Sequence, residues 1–245
     1  MPQGQPDYGF QPSATIQTAT DVNSLIAASL GISSMDGRGR IQYIDTFKEG
    51  LRGWRLANVG AGALPVLDYS LQQLFTPPFS ALLDPVGVPG ASYISRGFYL
   101  NMVDVVSFEV GMWAGTDAGD VRIALTVGDG DDVSQSLIIY YKPDTQILSI
   151  GTDAGQVEIA TLIVTPFGIG SPLRFKIAGD LATGKYVRLV LGGAQYDLSD
   201  YTLDAGGAYP YGHTFFQFSC TGRNPINFEP AYLDYAILSS SEPNN

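Results

Sequence analysis

The chain has 245 residues, of which 45% are hydrophobic and 15% charged, with 29 Gly, 15 Pro, one Cys and one His. That hydrophobic share excludes disorder throughout, and the glycine and proline content suits many turns rather than long helices. A net charge of −11 repels phosphate and argues against a nucleic-acid partner, while the single cysteine rules out an intramolecular disulfide.

The first ten residues, MPQGQPDYGF, have neither a basic start nor an apolar run, so no secretory signal is read there. No segment approaches the roughly 18 consecutive apolar residues of a membrane-spanning helix. The expectation is a protein made in the cytoplasm that acts elsewhere only within a particle. Residues 1–20 are rich in Pro, Gln, Gly and Thr and cannot fold alone. They read either as a frayed terminus or as an arm ordered on a neighbour, with Tyr8, Phe10 and Ile16 as anchors. A short helix is expected over 21–30. Asp21 caps its first turn, Leu25, Ile26 and Leu30 fall at helical spacing, and Gly31 ends it. The loop SSMDGRGR follows, with Arg38 and Arg40 read as solvated charge. This arm is taken as 1–40 and the body as 41–245.

The body opens with IQYIDTF, in which alternation sends Ile41, Tyr43 and Asp45 one way and Gln42, Ile44 and Thr46 the other. Strand-like segments then recur to residue 238, separated by turn signals such as GDGDD at 128–132, KPDTQ at 142–146 and the Gly pair at 192–193. Residues 70–90 are proline-rich without alternation and read as a long irregular excursion. This spacing predicts an all-β fold, an antiparallel sandwich or barrel.

Three stretches carry a family resemblance. YIDTFKEGLRGW at 43–54 resembles the first strand of concanavalin A-like lectin/glucanase domains. KYVRLVLGGAQYDLSD at 185–200 is similar to their strand, tight Gly turn and returning strand. NFEPAYLDYAILSSS at 227–241 resembles their closing strand. The leader SLIAASLGISSMDGRGRIQYID is similar to leaders of phage virion proteins carrying such a domain. The resemblance implies a two-sheet jelly roll whose ligands lie across one sheet or on nearby loops. Hydrolases of this fold carry a Glu-x-Asp-x-(x)-Glu strand, and this sequence departs from that pattern. Glu109 and Glu158 stand alone, and Glu229 and Asp234 are five apart with opposite parity.

Other constellations are sparse. Asp129, Asp131 and Asp132 offer clustered carboxylates to calcium, but a hairpin turn accounts for them without a cofactor. His213 and Cys220 are too few for a zinc site, and Cys220 reads as a buried small hydrophobe. Tyr196, Tyr201, Tyr209 and Tyr211, beside Asp197, Asp200 and Asp204, have the chemistry of a sugar site. The same set suits a protein interface or ordinary loop packing. The resulting expectation is a non-enzymatic virion component, a capsid decoration or a tail or fibre part, docking through its arm and self-associating, with a trimer as one form. The alternative is a glycan-binding module using Tyr196, Asp197, Tyr201, Tyr209 and Tyr211. A glycoside hydrolase ranks third.

Overall fold

The computed structural model describes residues 39–60, 63–68, 79–85, 90–99, 104–115, 118–128, 133–162, 171–191, 194–206, 213–222 and 230–241. The expected helix at 21–30 and the anchors Tyr8, Phe10 and Ile16 lie outside them. The described strands are β1 (Arg40–Asp45), β2 (Arg55–Gly60), β3 (Val66–Asp68), β4 (Ser80–Leu83), β5 (Gly90–Phe98), β6 (Val105–Ala114), β7 (Asp120–Gly128), β8 (Ser134–Lys142), β9 (Ile147–Thr152), β10 (Gly155–Thr161), β11 (Ser171–Asp180), β12 (Lys185–Leu191), β13 (Ala194–Asp197), β14 (Asp204–Gly206), β15 (Thr214–Thr221) and β16 (Ala231–Ser240).

They form two antiparallel sheets of a jelly-roll sandwich. The first runs β13-β12-β11-β6-β16-β4-β3, with β1 also on β16; the second runs β10-β9-β8-β7-β15-β5-β2, with β14 also on β8. Alternation explains the division of faces. On β6, Val106, Phe108, Val110 and Met112 enter the core; on β15, Phe216, Phe218 and Cys220 meet them from the other sheet. Phe108 and Phe216 touch across the sandwich edge to face, with ring centroids 5.7 Å apart. Burying side chains of this size contributes roughly 1.5–3 kcal/mol each, which is what holds the sheets together.

Two departures from the expected pattern have local causes. β4 forms inside the stretch read as irregular, because Ser80–Leu83 pairs with β16 and β3 despite its proline-rich surroundings. In β1, a bulge between Ile41 and Tyr43 breaks strict alternation. Ile41 and Ile44 therefore both pack on Tyr235 and Ile237 at the outer face, while Tyr43 packs against the core.

The bulge delivers a polar hub at one end of the core. Asp45 Oδ2 accepts from Tyr43 Oη at 2.5 Å and from Trp54 Nε1 at 2.9 Å, and Asp45 Oδ1 accepts from the Phe47 amide at 2.8 Å. Arg96 donates to Tyr43 Oη at 2.8 Å and lies 3.7 Å from the Asp45 carboxylate. Burial first, then the Asp45 carboxylate, pushes the Tyr43 phenol well above its ordinary value. Gly53 has φ +86°, and a Cβ there would sit 3.1 Å from the Arg96 guanidinium carbon, so the turn needs glycine on both counts. This cluster joins the acidic residue, the Phe amide, the Gly turn and the Trp of YIDTFKEGLRGW into one unit.

Candidate functional site

Register places the outward side chains of the first sheet in rows. One row reads Asp197, Arg188, Ala178, Ser107 and Ser239; the next reads Gln195, Val190, Lys176, Glu109, Ile237 and Ile44. The centre of this face is buried although it lies outside the sandwich interior. Glu109 is 2% exposed and has Lys176 and Ile237 as its cross-strand neighbours. Tyr235 Oη donates to Glu109 Oε1 at 3.0 Å and accepts from Arg174 Nε at 2.6 Å. Burial raises the Tyr235 phenol far above its ordinary value, and the Glu109 charge adds to that. Beyond them, Trp113 and Tyr232 pack edge to face at 5.2 Å.

The face opens toward its β12–β13 edge. There a cleft of about 370 Å³ is lined by Asp180, Thr183, Lys185, Arg188, Gln195 and Asp197, among others. The β11–β12 turn supplies Asp180, whose Oδ1 accepts from the Ala182 amide at 2.9 Å and the Thr183 amide at 3.4 Å. The end of β13 supplies Asp197, whose Oδ1 accepts from the Ser199 amide at 2.9 Å. That amide, helped by the Ser199 side chain, holds the Asp197 carboxyl below the ordinary aspartate value. Against β11, a bulge in β12 leaves Val187 as the extra residue between Tyr186 and Arg188, and the regular β12–β13 register sets Arg188 opposite Asp197. Arg188 is 2% exposed, and Lys185 and Gln195 are exposed at the rim. The lining thus combines two anchored carboxylates, two cations, an amide and a hydroxyl. It can accept hydrogen bonds from hydroxyl groups and donate to ether and hydroxyl oxygens within one small volume.

Of the residues expected from sequence, Asp197 lines this cleft. Tyr196 and Tyr201 do not turn out beside it; both are half-buried and pack against the core. Tyr209 and Tyr211 lie outside the described residues, as do Asp129, Asp131 and Asp132. No group of three or more His, Cys, Asp or Glu suited to a metal ion occurs among the described residues. Sequence reasoning missed Asp180, Arg188 and Gln195. Arg188 had a visible signal, a charge inside the otherwise apolar strand YVRLVL, and Lys176 and Glu109 carry the same mark in their strands.

No protein-family model matches the chain, and no curated protein matches it. Solved structures do. A sialidase superposes with a TM-score of 0.53 at 12% identity over 83% of this chain, which spans 19% of the sialidase. A Bacillus licheniformis β-glucanase gives 0.49 at 12% identity, covering 82% of this chain and 99% of that one. A structure of TmCBM61 in complex with β-1,4-galactotriose gives 0.40 at 12% identity over 80% and 94%. At these identities the likeness to the sialidase shows the fold alone, a two-sheet jelly roll. It also corrects one expectation. The sequence reading favoured a non-enzymatic protein over a hydrolase, yet this fold is shared with a structure named as a sialidase, so enzyme status stays open. The sequence reading had ranked a hydrolase last because one carboxylate motif is missing, and a fold hosts many chemistries through different residues.

Proposed function

We propose that this chain is a carbohydrate-binding jelly-roll domain and that the cleft at the β12–β13 edge of the first sheet is its site. One observation carries the reading. Asp180 and Asp197 each have one carboxylate oxygen tied to turn amides, and both line a single cleft with Lys185, Arg188 and Gln195. A carboxylate already fixed by a backbone donor loses little freedom on accepting a hydroxyl, so its hydrogen bond to a sugar is less offset by ordering. The paired charges leave the lining near neutral, which suits a polyhydroxylated ligand better than a polyanion. No observation favours a virion role, and residues 1–38 of the arm expected to dock lie outside the described residues.

A glycan microarray with the full chain, followed by calorimetric titration of the strongest saccharide, tests this. Asp197→Ala and Gln195→Ala alter exposed side chains and leave the core untouched. Each is expected to weaken binding roughly tenfold, the factor that about 1.4 kcal/mol represents. An empty array, or binding indifferent to both substitutions, overturns the assignment.

A further inference from the structure

Every residue of β6 and of β16 is buried, on both faces of the first sheet. The second sheet accounts for one face only. Each described strand belongs to one of the two sheets, so no described strand lies on the outer face of the first. Yet the side chains there are ones that water would reach on an open sheet. Lys176 is 3% exposed, Trp113 4% and Ile237 2%, and Glu109 and Arg188 are closed off with them. A lysine on an uncovered strand extends its ammonium into solvent, and charged side chains are almost never buried without partners and cover. Neighbouring strands can shield a serine or an alanine at such a place, but not a tryptophan or a lysine. The burial requires a layer over this face.

We propose that residues 1–38 of the same chain are that layer, folded back across the outer face of their own sheet rather than docked on a neighbour. Arg40 opens β1 at the edge of this sheet, opposite Ser240 of β16, so the chain enters the described residues at the border of the face. The stretch ahead of it is the longest outside the described residues, the next being 69–78. Reach is sufficient: residues 31–38, when extended, span up to about 27 Å. Three strand spacings, from β1 across β16 and β6 to β11, come to roughly 14 Å. A helix over 21–30, about 15 Å long, would then set Leu25, Ile26 and Leu30 against the row of Ile44, Ile237 and Val190. Charge matches as well. The face carries Arg174, Lys176 and Arg188 against Glu109, whereas residues 1–37 carry Asp7, Asp21 and Asp36 and no basic side chain. The centre of the face is thus filled by the chain itself, whether or not the cleft at the β12–β13 edge takes a saccharide.

Lys176 provides the readout. The full chain is treated with a small amine-acetylating reagent and digested, and each lysine is followed by mass spectrometry. Lys48 and Lys185 are exposed and serve as internal references. Lys176 should react at least roughly tenfold more slowly than either, at a rate unchanged by dilution. Amide exchange over 21–30 should be slow too, because a helix that short protects its amides only when packed. The triple variant Leu25→Asp, Ile26→Asp and Leu30→Asp should speed Lys176 acetylation roughly tenfold. Cys220, buried in the core, should stay unreactive to a thiol reagent in that variant, which shows that the sandwich is intact. If Cys220 reacts, the single change Ile26→Ala is read in the same way and should still speed Lys176 acetylation. Fast exchange across 21–30 overturns the proposal. Lys176 acetylation unmoved by these variants also overturns it and assigns the cover to another segment. Protection that falls on dilution overturns it as well, because the layer then comes from a second copy.

Discussion

The hydroxyl of Tyr186, on the first sheet, crosses the sandwich to the backbone of Ile138 on the second. It accepts from the Ile138 amide at 2.9 Å and donates to the Gly151 carbonyl at 2.6 Å. The reason lies in the pairing of β8. Its partner β9 takes over from Ile139 onward, and β14 pairs only with Ser134 to Ser136, so Ile138 falls between two ladders. A buried amide there needs a partner from elsewhere. Tyr186→Phe should therefore destabilise the fold by about 1–3 kcal/mol, the range for leaving buried polar groups unsatisfied. Denaturant unfolding measures this; a loss below a few tenths of a kcal/mol would show that water replaces the hydroxyl.

Asp45 should be the most sensitive surface-proximal residue of the closing hub. It accepts from Tyr43, Trp54 and the Phe47 amide and sits beside Arg96. Asp45→Ala leaves three donors and a cation without it, and the expected cost is about 2–3 kcal/mol. Asp45→Asn keeps an acceptor and should fall between wild type and Ala. Equal midpoints for both variants in urea unfolding would show that the network contributes nothing beyond packing.

The fold and the site were not equally legible in the sequence. Alternation in SFEVGMW and HTFFQFSC announces strands with one apolar face, and the YIDTF, Gly, Trp spacing marks the closing hub, because those signals are local. β4 was hidden because its pairing with β16 joins residues about 150 positions apart, and proline-rich neighbours masked it. The cleft was half visible. Asp197 stood out beside its tyrosines, but Asp180 and Arg188 join it only through strand register and the Val187 bulge. A bulge that shifts a strand by one residue exchanges its faces, and no periodicity reveals it in advance. Tyr196 packs against the core for a simpler reason: it neighbours Asp197 on β13, and alternation sends adjacent residues to opposite faces.

Alkaline pH should unfold the protein earlier than neutral conditions suggest. Burial pushes the Cys220 thiol from 9.0 up to about 12. Burial likewise raises Tyr43, Tyr141, Tyr186 and Tyr235 above the ordinary 10.0. A group whose pKa is raised in the folded state stabilises fully below its unfolded value. That contribution is lost as pH climbs toward the folded value, because the unfolded chain releases the proton first. Stability should thus begin to fall near pH 9, with Cys220, and fall faster above pH 10 as the tyrosines join. Each group adds a slope of about 1.4 kcal/mol per pH unit. Urea unfolding across this range checks it, and Cys220→Ala should remove the first part of the decline. A flat profile to pH 11 would contradict the burial of these groups.

Asp197 should behave in the opposite sense at the acid end. The Ser199 amide and then its side chain favour the ionised form, so the folded-state pKa lies below the ordinary 3.8. The stabilisation this brings is present above the unfolded value and disappears as pH falls through the folded one. Because the carboxylate is exposed, its effect on folding is screened and small. Its effect on binding is not, since only the ionised oxygen accepts from a hydroxyl without also carrying a proton. Saccharide affinity at the cleft should hold as pH drops to 3.8 and decline only below it, in step with the Asp197 carboxyl titration followed by carbon NMR. Ser199→Ala removes the side-chain donor but keeps the amide, so it should shift both curves upward together. Curves that separate, with affinity failing while Asp197 is still ionised, would assign the acid loss to another group and remove Asp197 from the site.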